Sequence, residues 1–142
     1  MPSASLTPAH SVLLLALATC LAGCEQTDAN LGLVSGRVTL DGEPLAAALV
    51  VFSPVEQGGS QSLGKTDADG KYVLNFAPGL SGAQLGRHTI SITTFEPAAP
   101  DADPPIAGSP ERVPAKYNLK TELVREVQPG ENTHDFELAA RP

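Results

Sequence analysis

The sequence predicts an all-β chain that folds as a single antiparallel β-sandwich of about seven strands, preceded by a signal peptide that is cleaved. Apolar and polar residues alternate along several short segments, which is the periodicity of half-buried strands. No segment spaces apolar residues in the helical pattern over three turns. The 13 glycines and 13 prolines of the 142-residue chain separate these segments, and such frequent turn formers are typical of sandwiches.

The first two predicted strands differ in their apolar pattern. Residues 33–40 alternate, with Val38 among the inward-facing positions, and the Asp41-Gly42 pair that follows is a tight-turn signal. Residues 46–53 are apolar at almost every position, which indicates a central strand that is covered on both faces.

The remaining strands follow from the same alternation, and polar loops are expected at 54–62 and 78–86. These strands are 63–66 and 71–76, which flank a hairpin connection at 67–70, then 87–94, 121–127 and, after a turn at 129–132, 133–138. The inward-facing positions of these strands predict one core between two sheets. Its expected members are Val38, Val50, Phe52, Tyr72, Leu74, Ile90, Ile92, Phe136 and Leu138.

Residues 95–114 break this pattern, because they carry six prolines and no periodic apolar residues. Proline cannot donate a ladder hydrogen bond, so we expect 96–111 to lie outside the sheets as an exposed loop. Two interpretations stay open: the segment is a tolerated insertion, or it contacts a partner, since extended prolines lose little entropy on docking.

The N-terminus resembles the leader of bacterial lipoproteins. An apolar run of 11 residues from Val12 to Ala22 ends in Leu21-Ala22-Gly23-Cys24, which is similar to a lipobox. The run is too short for a membrane-spanning helix and suits a secretory leader, although no Lys or Arg precedes it. Cys20 is the rival lipidation site, but the branched Thr19 precedes it.

The resemblance implies three regions: a signal peptide at 1–23, a lipidated Cys24 with a tether at 24–31, and a domain at 32–142. It also implies that Cys24 carries a diacylglyceryl group and an amide-linked acyl chain such as palmitate. Two or more acyl chains give stable membrane anchoring. We therefore expect an exported lipoprotein that Cys24 anchors to a membrane on the periplasmic side of the cell envelope.

Charge and cysteine content exclude several classes of function. The chain has 9 basic and 16 acidic residues, all of them after Cys24, and its formal net charge is −7. No cluster of basic residues is present, so nucleic acid is not an expected partner. After cleavage Cys24 is the one cysteine left, which predicts a domain with neither a disulfide nor thiol chemistry.

The domain resembles carboxypeptidase regulatory-like domains, which have a transthyretin-like (prealbumin-like) sandwich fold. The likeness lies in Val34-Ser-Gly-Arg-Val-Thr-Leu-Asp-Gly-Glu-Pro-Leu45, in Val50-Val-Phe-Ser-Pro54 and in Thr66-Asp-Ala-Asp-Gly-Lys-Tyr-Val-Leu74. It is greatest to small lipoproteins of planctomycete-type bacteria. The resemblance implies the fold and no particular activity. At Leu85-Gly86-Arg87-His88 the chain departs from the pattern, because His88 stands where an aromatic residue would pack.

No residue pattern predicts a catalytic site, a cofactor or a metal site. Asp67 and Asp69 suggest the start of a calcium loop, but position 12 from Asp67 is Pro78, so a structural turn is favoured. His88 and His134, which we expect to be partly exposed at strand ends, lie too far apart in sequence for a local metal motif. Tyr72 and Tyr117 complete this candidate set.

The sequence therefore favours a non-enzymatic binding or scaffolding module, with an envelope protein or a glycan as its partner. An enzyme or metal carrier whose site is completed by oligomerisation is the alternative. A flat apolar patch would favour the binding module, whereas a concave pocket with converging His, Asp or Arg side chains would favour the enzyme.

Overall fold

The computed structural model of the protein describes residues 30–141. Within this range the chain forms twelve strands and one short 3-10 helix, Ala115–Tyr117. The strands are β1 Leu31–Leu40, β2 Glu43–Pro44, β3 Leu49–Pro54, β4 Ser62–Lys65, β5 Lys71–Val73, β6 Asn75–Ala77, β7 Leu80–Ser81, β8 Ala83–Gln84, β9 Gly86–Thr93, β10 Val124–Val127, β11 Gly130–Thr133 and β12 Phe136–Leu138. The described part of the chain is all-β, as the alternation predicts.

The first sheet is built around β1, its longest strand. On one side β1 pairs with three short strands, β8, β5 and β2, all antiparallel. On the other side it pairs with β11 and β12, and both of these pairs are parallel. The last two strands of the fold thus cover one side of the first strand, although they lie about 100 residues later in the chain.

The second sheet has the order β10-β9-β3-β4-β6-β7, and all its pairs are antiparallel. The two long strands β3 and β9 form its centre, with six residue pairs in register from Leu49↔Thr93 to Pro54↔His88. Strand β10 is one edge of this sheet and β7 is the other.

The two sheets share one apolar core, which gives a sandwich-like architecture. All nine side chains predicted for the core are buried. The ring of Phe52 from the second sheet meets the ring of Phe136 from the first, edge to face, with 6.3 Å between centroids. Phe52 is 0% exposed, and such a tilted aromatic pair adds to the stabilisation that burial gives.

Three expectations about the strands are corrected by the structure. The pairs of β1 with β11 and β12 are parallel, although an antiparallel sandwich was expected. The predicted strand at 71–76 is two strands in different sheets, because the Leu74 amide bonds to the Val34 carbonyl of the first sheet before the chain crosses to the second. The predicted turn at 129–132 lies largely in β11, which begins at Gly130.

The predicted boundary of the tether also moves. Leu31 was assigned to the tether at 24–31, but it is 7% exposed and is the first residue of β1. The domain therefore includes Leu31, because it pairs with Gln84 of β8 in the first sheet.

Candidate functional site

The two ends of the sandwich carry different features. At the end that we call the entry end, the carbonyl of Asn30 accepts a 3.1 Å hydrogen bond from the Leu85 amide just before β9. At the other end, which we call the hairpin end, β9 finishes at Thr93 and the Pro-rich segment begins. Since β1 and β9 both run from the entry end to the hairpin end, about 26 Å of strand separates Asn30 from this segment.

The predicted signal peptide, Cys24 and residues 24–29 of the tether lie outside the described residues. Among residues 30–141 there is no helix of the length and apolarity that crossing a bilayer requires.

The Pro-rich segment is a hairpin of its own outside both sheets. Glu96 and Ser109 exchange two backbone hydrogen bonds of 3.0 and 2.8 Å, and Ala99 and Ile106 exchange two of 2.9 and 3.0 Å. The prediction that 96–111 lies outside the sheets as a loop is confirmed. The loop has a hairpin form that was not predicted, because these four backbone bonds avoid the prolines and use the residues between them.

Glu111 fastens the base of this hairpin to the end of β9. Its carboxylate accepts hydrogen bonds from the Thr93 hydroxyl, from the Thr94 hydroxyl at 3.0 Å, and from the amides of Thr94 and Val113 at 2.9 Å each. Partial burial alone would raise the pKa of Glu111, but these hydrogen bonds outweigh it and lower the pKa to about 2. Glu111 therefore remains a charged acceptor at neutral pH.

The chain that returns from the hairpin is also held against β9. The Asn118 amide donates to the Ile92 carbonyl at 3.3 Å, and the Thr121 hydroxyl donates to the Ile90 carbonyl at 2.6 Å. Val113 is 3% exposed and belongs to the core, so the predicted irregular segment 95–114 ends inside the folded domain. The sequence analysis did not predict these contacts. The polar residues Thr93, Thr94 and Asn118 are the features of the sequence that could have indicated them.

A hollow of about 350 Å³ lies between the hairpin base and this returning chain. Phe95 and Leu119 line it, and they are the two most exposed large apolar side chains of the described residues, at 59% and 92%. A second hollow of about 360 Å³ lies on the other side of Phe95, next to Leu49 and Lys65. Phe95 therefore stands between two recesses at the hairpin end.

The polar groups of the first hollow are mostly engaged within the fold. Both carboxylate oxygens of Glu111 accept hydrogen bonds, and the Asn118 side chain uses its nitrogen on two carbonyls and its oxygen on the Leu119 amide. What this hollow offers a ligand is therefore chiefly the apolar surface of Phe95 and Leu119. Exposed apolar patches of this kind mark interaction sites or ligand-binding grooves.

The candidate histidines and tyrosines are engaged mainly with the backbone. His88 is 1% exposed, which corrects the expected partial exposure, and its Nδ1 donates to the Gly86 carbonyl at 3.1 Å. Burial lowers the pKa of His88, and it also lowers the pKa of the half-buried His134. The Tyr72 hydroxyl donates to the His134 carbonyl, and the Tyr117 hydroxyl accepts from the Ala139 amide.

The rings of His88 and His134 both lie beside one ring of the core, that of Phe52. The centroids of the His88 and His134 rings lie 5.8 and 5.9 Å from that of Phe52, so an apolar ring neighbours both imidazoles. Residues 30–141 contain no group of three or more His, Cys, Asp or Glu side chains that could hold a metal ion.

The Asp67-Gly70 segment is the structural turn that the sequence favoured. One carboxylate oxygen of Asp67 accepts from the amides of Asp69 and Lys71, both at 2.9 Å. Gly70 has a φ of +75°, a left-handed conformation that glycine adopts without strain. The carboxylate of Asp67 thus shapes the hairpin connection.

The entry end also has a cavity, of about 320 Å³. Gln57, Gln84 and Arg87 line it, and the Gln84 side chain accepts a 3.0 Å hydrogen bond from the Ser60 amide.

Comparisons with protein-family models, curated proteins and solved structures found no match to this chain.

Proposed function

We propose that the protein is a non-enzymatic, lipid-anchored envelope protein that binds a partner protein through its hairpin end, on the periplasmic side of the membrane. The observation that carries this proposal is the placement of Asn30 and the Pro-rich hairpin at opposite ends of the sandwich. Cys24 precedes Asn30 by six residues, so an acyl group on it lies within about 20 Å of the entry end. The hairpin end then faces away from the bilayer.

The proposed fold family is that of transthyretin-like, carboxypeptidase regulatory-like domains. Two sheets that share one core are compatible with it. The segments that carry the resemblance also have structural roles: Asp41-Gly42 forms the turn after β1, and both residues have positive φ angles. The signal peptide at 1–23 belongs to the same proposal.

A protein is favoured over a glycan because of the chemistry of the hollow at Phe95. A glycan would bring hydroxyl groups, and burying them against carboxylate and amide groups that are already engaged would leave them unpaired. The hairpin carries Glu96, Asp101 and Asp103 and no basic residue. A partner segment that combines apolar and basic side chains complements both the exposed Phe95 and Leu119 side chains and this charge.

A binding role is favoured over a catalytic role because the side chains best suited to acid–base catalysis already donate hydrogen bonds to backbone carbonyls. The Tyr72 hydroxyl and the Nδ1 of His88 both donate to carbonyl groups inside the fold. They do not converge on either hollow at the hairpin end, which leaves these recesses suited to recognition.

The anchoring part of the proposal is tested by Cys24→Ser in the native host. Wild type is expected in the membrane fraction and in the detergent phase after phase separation, whereas Cys24→Ser is expected to lose both properties. Cys20→Ser is the matched control and should behave as wild type in its final location. Wild-type protein that is uncleaved and soluble would contradict the proposal.

The binding part is tested with a single introduced thiol that carries a photo-crosslinker. Leu119→Cys places the crosslinker at the hairpin end, and Gln57→Cys places it at the entry end as a control. We expect a discrete crosslinked protein band from Leu119→Cys alone, which disappears when Phe95→Ser is added. Equal crosslinking from both positions would contradict binding at the hairpin end.

A further inference from the structure

Strand β10 is an edge of the second sheet, and its backbone alternates between β9 and the free side. The Ile90 amide donates to the Leu123 carbonyl at 2.9 Å, and Arg125 is in register with His88. In an antiparallel pair, every second residue makes these bonds. The backbone groups of Val124 and Glu126 therefore point away from β9, to the open edge.

Side chains cap both of the carbonyls that point to this edge. The Arg125 guanidinium donates to the Val124 carbonyl through Nη1 at 2.8 Å. The His134 ring, from the first sheet, donates to the Glu126 carbonyl through Nε2 at 3.1 Å. An uncapped edge of this kind is a template for pairing with another strand.

Both caps are held in place by aromatic rings of the core. The Arg125 guanidinium lies 5.0 Å from the centroid of the Phe136 ring, a cation–π arrangement. The His134 ring lies 5.9 Å from the ring of Phe52. The packing between the sheets thus positions both caps.

We infer that Arg125 and His134 block β10 from pairing with the β10 of a second copy of this chain. The same edge on two copies can pair antiparallel about a twofold axis, and such a contact is closed and isologous. Val124, which is exposed, and Val127 have high strand propensity, so the backbone edge is fit to pair once the caps are removed.

The test removes the donors and keeps the packing. In the full chain with Cys24→Ser as background, Arg125→Met keeps a long unbranched side chain beside Phe136, and His134→Phe keeps a ring beside Phe52. The background protein is expected to have the mass of one chain in light scattering coupled to gel filtration. The Arg125→Met, His134→Phe variant is expected to form a dimer whose fraction rises with concentration.

Two sets of controls locate the contact. Arg87→Met and His88→Phe make the same changes of residue type at positions that do not cap β10, and both should stay monomeric. Adding Glu126→Pro to the double variant removes an amide that points to the open edge, without removing a bond to β9, and should restore the monomer. A monomeric double variant overturns the inference, and so does a dimer that persists with Glu126→Pro.

The single variants keep the inference testable if the double variant does not fold. Each of them frees one carbonyl, and each is expected to associate more weakly than the double variant. Folded single variants that stay monomeric at millimolar concentration also overturn the inference.

Discussion

The hydroxyl of Tyr72 donates a 2.6 Å hydrogen bond to the backbone carbonyl of His134, which lies between β11 and β12. Tyr72 is on β5, on one side of β1, and His134 is on the other side, so the tyrosine reaches across Gly36. A Cβ at Gly36 would lie 1.9 Å from the His134 oxygen, and only glycine allows this approach. Burial, with the nearby charge of Asp135, raises the pKa of Tyr72 and keeps its hydroxyl a donor.

Tyr72→Phe is expected to lower the free energy of unfolding by about 1–2 kcal/mol, because it leaves a half-buried carbonyl with one partner fewer. Urea unfolding of wild type and variant measures this difference. Tyr117→Phe, which removes a bond to the Ala139 amide near the end of the described chain, is the control and should cost less. Equal losses would show that the Tyr72 bond has no special role.

Phe52→Ala is expected to cost about 3–5 kcal/mol, since it empties the centre of the core, where Phe52 meets Phe136 and both histidine rings. The domain is expected to have no disulfide to offset the loss. Phe95→Ala removes the same ring from an exposed position and should change the melting temperature little. A shift of one or two degrees for Phe52→Ala would contradict its central place in the core.

Glu111→Gln is expected to destabilise the hairpin base by about 1 kcal/mol at pH 7, a value reduced for the exposure of the carboxylate to water. The folded pKa of about 2 lies below the unfolded value of 4.5. The contribution of the charge is therefore complete above about pH 4.5 and is lost as the pH falls towards 2. Wild type and variant should thus differ in unfolding midpoint at pH 7 and converge near pH 2. Glu96→Gln, at an exposed ion pair with Lys65, is the control and should change the unfolding midpoint at pH 7 little.

Replacing residues 97–108 by Asn-Gly is expected to leave the melting temperature within a few degrees of wild type. Glu96 and Ser109 already face each other, and a two-residue turn closes such a pair. The same replacement should abolish the crosslink from Leu119→Cys if the hairpin contacts the partner. Loss of folding would mean that the hairpin is part of the stabilising structure.

His88→Phe is expected to flatten the fall in stability on acidification. Burial holds the pKa of His88 below 6.5, so the unfolded chain binds a proton that the folded chain excludes, and stability is lost as the pH falls below about 6.5. The variant should also be at least as stable as wild type at pH 7.5, because Nε2 of His88 has no hydrogen-bond partner within the described residues. Melting temperatures between pH 5 and 8 measure both effects, and an unchanged pH slope would exclude His88 as their source.

Local patterns predicted the strands and the core well, because period-2 alternation records which face of each strand is buried. Most of the nine predicted core residues and the central strand β9 follow from it, whereas the central strand β3 follows from a continuous apolar run. Alternation carries no information on which strands pair, so the parallel pairs of β1 with β11 and β12 were missed. The Glu111 contacts were missed for a similar reason, since they join residues 17 or 18 positions apart whose types are common in loops.

The enclosure of β1 has a consequence for how the chain acquires its structure. The first strand cannot complete its sheet until β11 and β12 have been made and have reached the same compartment, because they form one whole side of it. If the chain crosses a membrane from its N-terminus, the edge of β1 that pairs with β11 and β12 therefore stays unpaired until the C-terminal strands have crossed. Contacts between such distant segments also slow folding.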